Sequence, residues 1–537
     1  MLPYVISLLI FTPLVVAGVA LFVPVRAAGS FRWLALGASV IQLMVVVFML
    51  LDYQAGTQMQ FVEQQDWIVL NLGEWGILKS EYFVAVDGMS LPLVVLSVVV
   101  MLIATVASWP VEKQPKGYFI LLLILNAAII GSFTALDFLL FYLFFEFMLL
   151  PMFFLIGIWG GPRREYASIK FFLYTLLGSI FILIAMIGLY ISVQAPGDGG
   201  QVVHTFNVLY MRDPANFITR SIFDPHTPWH IGPLDARAWA FLLLFLGFAI
   251  KLPMVPLHTW LPDAHVEAPT PISVILAALL LKIGGYGMAR IAFPIFPEAA
   301  LHYSWLVGLM GVISIIYGAL NAMASKDLKR LIAYSSVSHM GFVLLGLASM
   351  TTEGVAGAVF QMVSHGMLSA MLFLLAGVLY DRTHDRAIAN YSGLASKMQG
   401  YFVLTLIAFF ASLGLPGLAP FIGEVMVFLG AFRSHSVNGL LHESLAIVAT
   451  SGLVLGAAYY LWTLQRMFFG PLHLKGGHLA SQMTDLTPRE YLVILPLALA
   501  AFAFGIQPQP LLDLINPFAQ EFVETILKTG QSITPKP

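Results

Sequence analysis

The chain has no cysteine among its 537 residues, which excludes thiolate-held iron–sulfur clusters, thiol nucleophiles and disulfides. It has no Walker or GxGxxG loop and no zinc-spaced cluster, so nothing in it points to a nucleotide or metal site. Charge is scarce: Asp, Glu, Lys and Arg make up 10% of the residues, against roughly 25% in soluble domains. The net charge of −2 shows neither a nucleic-acid footprint nor an acidic tail. With 59% hydrophobic residues, so few charges could not cover a soluble fold, whereas lipid requires no polar covering. The composition predicts an all-α, polytopic membrane protein.

What is present is a succession of apolar runs of about 20 residues, the length that a roughly 30 Å hydrocarbon core demands of a helix. About fourteen transmembrane helices are expected, near 2–23, 31–51, 87–109, 118–136, 137–159, 168–194, 238–262, 271–293, 302–323, 329–349, 354–380, 401–433, 443–469 and 490–507. The first lacks a basic n-region and runs straight into further spans, so it reads as an anchor rather than a cleaved signal. The linkers 52–86 and 195–237 are long and polar, with turn dipeptides such as Pro196-Gly197 and Asp224-Pro225, and are expected on one face. Connections after odd-numbered spans carry sixteen Lys and Arg, and those after even-numbered spans six. That bias places the odd connections in the cytoplasm and both termini outside.

Four charges remain deep within apolar segments: Glu146, Lys251, Lys282 and Glu424. Each costs about 2.5–3.5 kcal/mol on insertion scales. Ion pairs that merely hold helices together are one reading, but buried pairs stabilise poorly compared with apolar packing. Alternating acids and bases over four helices suit a proton path, since each group holds a proton in one state and releases it in another. Moving a proton against roughly 180 mV takes about 4 kcal/mol, a swing of about three pH units in proton affinity. Bringing a carboxylate to a buried lysine and withdrawing it produces a swing of that size.

Lys251 stands beside Pro253 and Pro256, each of which removes a backbone donor, so the seventh helix should break there. Glu424 lies in a run too long for one crossing, interrupted by Pro416, Gly417 and Pro420, which makes the twelfth helix discontinuous as well. Freed carbonyls and half-helix ends stabilise ions at such breaks. Spans four to eight and nine to thirteen form two groups of five with the interrupted helix fourth in each, the pattern of an inverted repeat. The expected organisation is three helices with an external loop over 1–117, a first five-helix unit over 118–293, and its inverted counterpart over 302–470. A cytoplasmic loop, the last helix and a short tail occupy 471–537.

His339 and His365 fall mid-span among serines and suit a relay, because imidazole titrates near neutrality. Bonding to a neighbouring carbonyl, or axial ligation of a haem, are the other readings of this pair. His258 and His265 flank the exit of the broken seventh helix, where protons would arrive from the cytoplasm.

The strings LFYLFFEFMLLPMFFLIGIWGG, GFAIKLPMVPLHTWLPDAHVEAPTPISVILAALLLKIGGYG and KDLKRLIAYSSVSHMGFVLLG resemble the antiporter-like membrane subunits of proton-pumping NADH:quinone oxidoreductase, respiratory complex I. These are related to Mrp-type sodium/proton antiporter subunits. The resemblance is strong over 118–470 and implies proton-translocating roles for Glu146, Lys251, Lys282 and Glu424. A glutamate at the twelfth-helix position is the M-type pattern, where L- and N-type chains usually carry lysine; the absence of a long lateral helix agrees. The resemblance implies no cofactor or metal in this chain, with FMN, iron–sulfur clusters and quinone in partner subunits. It implies L- and N-type neighbours, small hydrophobic subunits, an indirect link to the peripheral redox arm, lipid contact and no nucleic acid. A multi-pass protein of a bacterial inner membrane is expected. An Mrp-type subunit, a ferredoxin- or hydrogenase-linked relative, a monomeric solute carrier and a scaffold without an ion path are the rivals.

Overall fold

A computed structural model describes residues 4–71, 73, 77–195, 202–227, 229–474 and 483–533. Pro196, Gly197, Lys475 and Lys536 of the turn and charge arguments lie outside them. The helices are α1 (Val5–Phe22), α2 (Ala28–Asp52), α3 (Ser90–Ala107), α4 (Pro115–Thr134), α5 (Phe138–Phe147), α6 (Leu149–Trp159), α7 (Arg164–Ser192), the short α8 (Val208–Met211), α9 (Ala236–Lys251) and α10 (Trp260–Glu267). There follow α11 (Thr270–Ile295), α12 (Pro297–His302), α13 (Ser304–Ala324), α14 (Leu328–Ala348), α15 (Thr352–Thr383), α16 (Gln399–Ser412), α17 (Ala419–Val437), α18 (Glu443–Phe468), α19 (Pro488–Ile506) and α20 (Gln509–Ile533). Twelve helices among the described residues, with α5 and α6 taken together, are long and apolar enough to cross a membrane. The interrupted segments α9–α10 and α16–α17 stand outside that twelve, and a total of fourteen takes each of them as one further crossing.

The interruptions follow from backbone chemistry. α9 stops at Lys251, immediately before Pro253 and Pro256. Between α16 and α17, Gly414 (φ +79°) and Gly417 (φ +92°) adopt left-handed backbone that favours glycine. Pro420 lies in the first turn of α17, where a proline starts a helix rather than breaking one. A kink at Met148 separates α5 from α6. Pro151 explains it, because its ring displaces the hydrogen bond to the Phe147 carbonyl four residues earlier.

The polar linkers contain strand, which an all-α reading omits. β1 (Gln60–Asn71) and β2 (Ile77–Val86) pair antiparallel, and β3 (Val203–Thr205), from the other linker, adds to β2 in parallel. Both linkers therefore share one sheet, as an arrangement on one face requires. Glu63 turns inward from β1 and accepts the Ile6 amide at 2.6 Å, neutralising the positive start of α1.

Burial sorts the helices by partner. The most apolar stretches of α11 and α15 are wholly inside the protein, whereas that of α2 is 33% buried and leaves its apolar side chains outward. The outer helices thus present the surface lipid accepts. Instead of a short tail, the chain after α19 forms the 25-residue α20. Leu511, Ile515, Phe518, Phe522 and Ile526 recur at helical spacing and pack on α12 and α15, while Asp513, Gln520 and Glu524 face outward. Its polar half made it too hydrophilic for a hydropathy reading.

The structure also buries charges that the sequence count assigns to connections. Arg290 meets Asp87 at 2.6 Å, Arg237 meets Glu298 at 2.6 Å, and Lys329 donates to the Ala268 carbonyl at 3.0 Å. Helix ends covered by neighbouring protein look like loops to a hydropathy window, because the window sees composition and not packing.

A buried line of titratable groups

Lys251 is 1%, Lys282 0% and Glu424 2% exposed, whereas Glu146 is half-buried at the flank of α5 beside the outward-facing Phe147. α11 makes room for Lys282 by two π-helical turns, Leu276–Leu280 and Met288–Ala292, on either side of it. The wider turn leaves the Ala277 carbonyl free to accept from Lys282 Nζ at 2.6 Å. Gly284 brings α11 against the broken end of α9: a Cβ there would stand 2.6 Å from the Leu252 amide nitrogen and the Phe248 carbonyl oxygen. Lys251 and Lys282 are thereby carried on two helices in contact.

From Lys282 the line continues by side-chain contact. Its Nζ lies 2.7 Å from His365 Nδ1, and the His365 and His339 ring centroids are 5.2 Å apart. His339 Nδ1 lies 3.4 Å from Glu424 Oε1 and 3.3 Å from Gln361 Nε2. One nitrogen thus faces an acceptor and a donor. Without a proton it accepts from the Gln361 amide; with one it donates to the carboxylate. Gln361 was invisible to sequence reasoning, since a glutamine carries no charge to stand out from an apolar run. Gly414 closes the far side: a Cβ would sit 2.4 Å from Glu424 Oε2.

Two cavities of about 10 Å³ adjoin this line, one beside Ser335, His339, Gln361, His365 and Ser412, the other beside Ser338, His339, Glu424 and Tyr459. Each is at the lower limit for one water. A larger cavity of about 310 Å³ opens among Gly160, Glu267, Thr270, Lys329, Asp381 and Arg386, where α10, α14 and α15 end.

The remaining histidines separate. His265 is fully buried, stacks on Phe373 at 4.4 Å, and has no hydrogen-bond partner on either ring nitrogen. His258 packs instead against Tyr317 and Tyr334, on another side of the break. Lys251 makes no hydrogen bond, and neither does Glu146 Oε1. The two therefore form no hydrogen bond with each other. Among the described residues no group of three or more His, Asp or Glu is placed to hold a metal ion.

The sequence and the fold both have relatives among known proteins. Residues 135–450 match the family model described as the NADH:quinone oxidoreductase/Mrp antiporter transmembrane region. The chain belongs to this family. It is 40% identical over 531 residues to the NADH-quinone oxidoreductase subunit M of Rhodobacter capsulatus, covering 97% of this chain and 96% of that one. It is 38% identical over 517 residues to the protein of that name from Rickettsia prowazekii, covering 95% and 97%. In fold it is similar to a chain of respiratory complex I from Thermus thermophilus, with a TM-score of 0.80 and 28% identity over 97% of this chain and 99% of that one. A chain of the Mrp complex from Dietzia, at 20% identity and a TM-score of 0.79 over 98% of both chains, shares the fold. The family is one of antiporter-like, multi-pass membrane proteins, and the twelve apolar helices accord with it.

Proposed function

We propose that this chain is the M-type subunit of a bacterial inner-membrane NADH:quinone oxidoreductase and moves protons while redox chemistry proceeds in partner subunits. The observation that carries the reading is the unbroken series of contacts Lys282–His365–His339–Glu424 inside the protein. The naming of the relatives supports the choice of complex.

In this reading, electrostatic change arrives from a neighbouring subunit at the half-buried flank of α5 and alters the pairing of Glu146 with Lys251. Drawing the carboxylate away lowers the proton affinity of Lys251 and raises the advantage of protonating Lys282. Protons reach the interior from the 310 Å³ cavity past Lys329 and His265. Lys282 hands its proton to His365 at 2.7 Å, His339 receives it across the cavity beside Gln361, and Glu424 takes it at 3.4 Å. Glu424 then presents a changed charge to the next subunit. Fourteen crossings, the inverted five-helix units over 118–293 and 302–470, and both termini outside belong to this reading.

The test replaces Glu146 by Gln and Lys251 by Ala in the assembled complex. Assembly on native gels is expected to be unchanged, with proton pumping coupled to quinone reduction strongly depressed. Pumping at parental stoichiometry in both variants would remove the charges from the mechanism. Purification through a tag on this chain separates the Mrp reading. Copurifying flavin and iron–sulfur subunits with NADH oxidation support the proposal, and small antiporter subunits with sodium-dependent proton flux support the rival.

A further inference from the structure

Lys251 has a second neighbour that the ion-pair scheme leaves out. Its ammonium sits 4.1 Å from the centroid of the Phe145 ring, within cation–π range. The ring is 1% exposed and the ammonium makes no hydrogen bond. Phe145 and Glu146 are consecutive on α5, so their side chains leave the helix about 100° apart. The ring faces inward to Lys251, and Glu146 beside it is half-buried. Phe145 is held in place by Phe141, at 5.8 Å between centroids, and edge-on by Phe248 of α9, at 6.1 Å. Phe141 in turn lies 6.4 Å from Tyr286 of α11, so one aromatic cluster ties together the helices of Glu146, Lys251 and Lys282. Both backbones are interrupted at this point, α9 directly after Lys251 and α5 at the Met148 kink.

We propose that Phe145 is a positioning residue, the second seat of the Lys251 ammonium when it is withdrawn from Glu146. The inference rests on the proton-translocation reading and deepens it. An aromatic face attracts a cation but accepts no proton. An ammonium seated there stays charged after the ion pair opens, and opening is separated in time from the loss of the proton toward Lys282. A swing of the long Lys251 side chain, at the interrupted end of α9, exchanges carboxylate for ring beside the ammonium. An aliphatic side chain of similar size would fill the space without offering charge to the ammonium.

The test uses the intact, assembled complex. Phe145 is replaced, by site-specific incorporation, with 4-fluoro-, 3,5-difluoro- and 3,4,5-trifluorophenylalanine, which keep the ring's shape while progressively draining its face of negative potential. Assembly is followed on native gels and proton pumping against NADH oxidation in proteoliposomes. Pumping is expected to fall stepwise along the series, by about tenfold at the trifluoro ring. The same series at Phe153, which packs against Phe154 and Phe172 away from Lys251, reports any effect of incorporation alone and is expected to be flat. Equal pumping across the Phe145 series, with or without loss in Phe145→Leu, would reduce the ring to packing and overturn the proposal. Glu146→Gln measured alongside separates the two failures: if it depresses pumping while the series is flat, only the ring seat falls, and if it pumps normally the ion-pair reading falls with it.

Discussion

Glu424 shows how much one side chain is asked to do. Its carboxylate is 2% exposed, with Oε1 3.4 Å from His339 Nδ1, while Oε2 has no hydrogen-bond partner. Ionised, it draws a proton onto His339; protonated, it releases His339 to Gln361. Glu424→Gln keeps the shape and removes the charge, so pumping is expected to fall on the order of 100-fold, the lower range for losing a positioned acid–base group. Proton flux per NADH oxidised by the assembled complex checks this, and a fall of less than about twofold would place Glu424 outside the path. Glu424→Lys retains a titratable group and is expected to pump better than Glu424→Ala. The four charges Glu146, Lys251, Lys282 and Glu424 were legible because each interrupts an apolar run. Gln361 and Phe145 were not, since glutamine carries no charge and one phenylalanine among 41 has nothing to distinguish it.

Helices in this protein are broken, widened or pressed together where protonatable groups sit, and each departure has a local cause. Prolines end α9 at Lys251, glycines in left-handed backbone interrupt the segment before Glu424, and π-helical turns bracket Lys282. Gly284 sets backbone against backbone, because α9 and α11 touch through its missing side chain. Gly284→Val should force the helices apart and destabilise the protein by roughly 1–3 kcal/mol, the usual range for overpacking. The expected result is a lowered thermal midpoint of the assembled complex together with reduced pumping. Gly37→Ala, where a Cβ meets nothing within 4 Å, should change neither. Proline breaks were readable in advance. The π-helical turns were not, because Gly284, Gly285 and Gly287 signal close packing but do not distinguish a widened turn from an ordinary one.

At the scale of the molecule, distant parts of the chain are held together by ion pairs beneath the outer surface. Asp87, in the turn before α3, receives both carboxylate contacts from Arg290 of α11 at 2.6 Å. α20 lies over them, with its Leu514 carbonyl against Gly88 and the Phe518 ring 5.6 Å from the Arg290 guanidinium. Burial opposes the charge on Asp87, but the guanidinium outweighs it and holds the carboxyl below the usual carboxylate range. Asp87→Asn leaves Arg290 buried and uncompensated, a loss of about 3–5 kcal/mol. A carboxyl whose affinity for protons is lower in the folded state contributes its stability above the unfolded value of about 4 and loses it as pH falls through the lower folded value. The difference in thermal midpoint between parent and variant should therefore be constant at neutral pH and narrow below about pH 4. A difference that widened on acidification would contradict the assignment.

Membrane residence, the interrupted seventh and twelfth helices and the four charges inside apolar runs were determined by the sequence alone. Each of these is a property of a residue and its near neighbours: a charge in an apolar run or a proline in a helix carries its energetic consequence wherever the chain goes. Only the tertiary structure decided that Lys282 meets His365, that His339 stands between Gln361 and Glu424, that Lys251 rests on Phe145, and that Arg290 reaches Asp87 across 203 residues of chain. Such meetings depend on the order, rotation and depth of helices packed side by side, and hydropathy, which reports how each residue prefers its solvent, carries no record of which neighbour it will face.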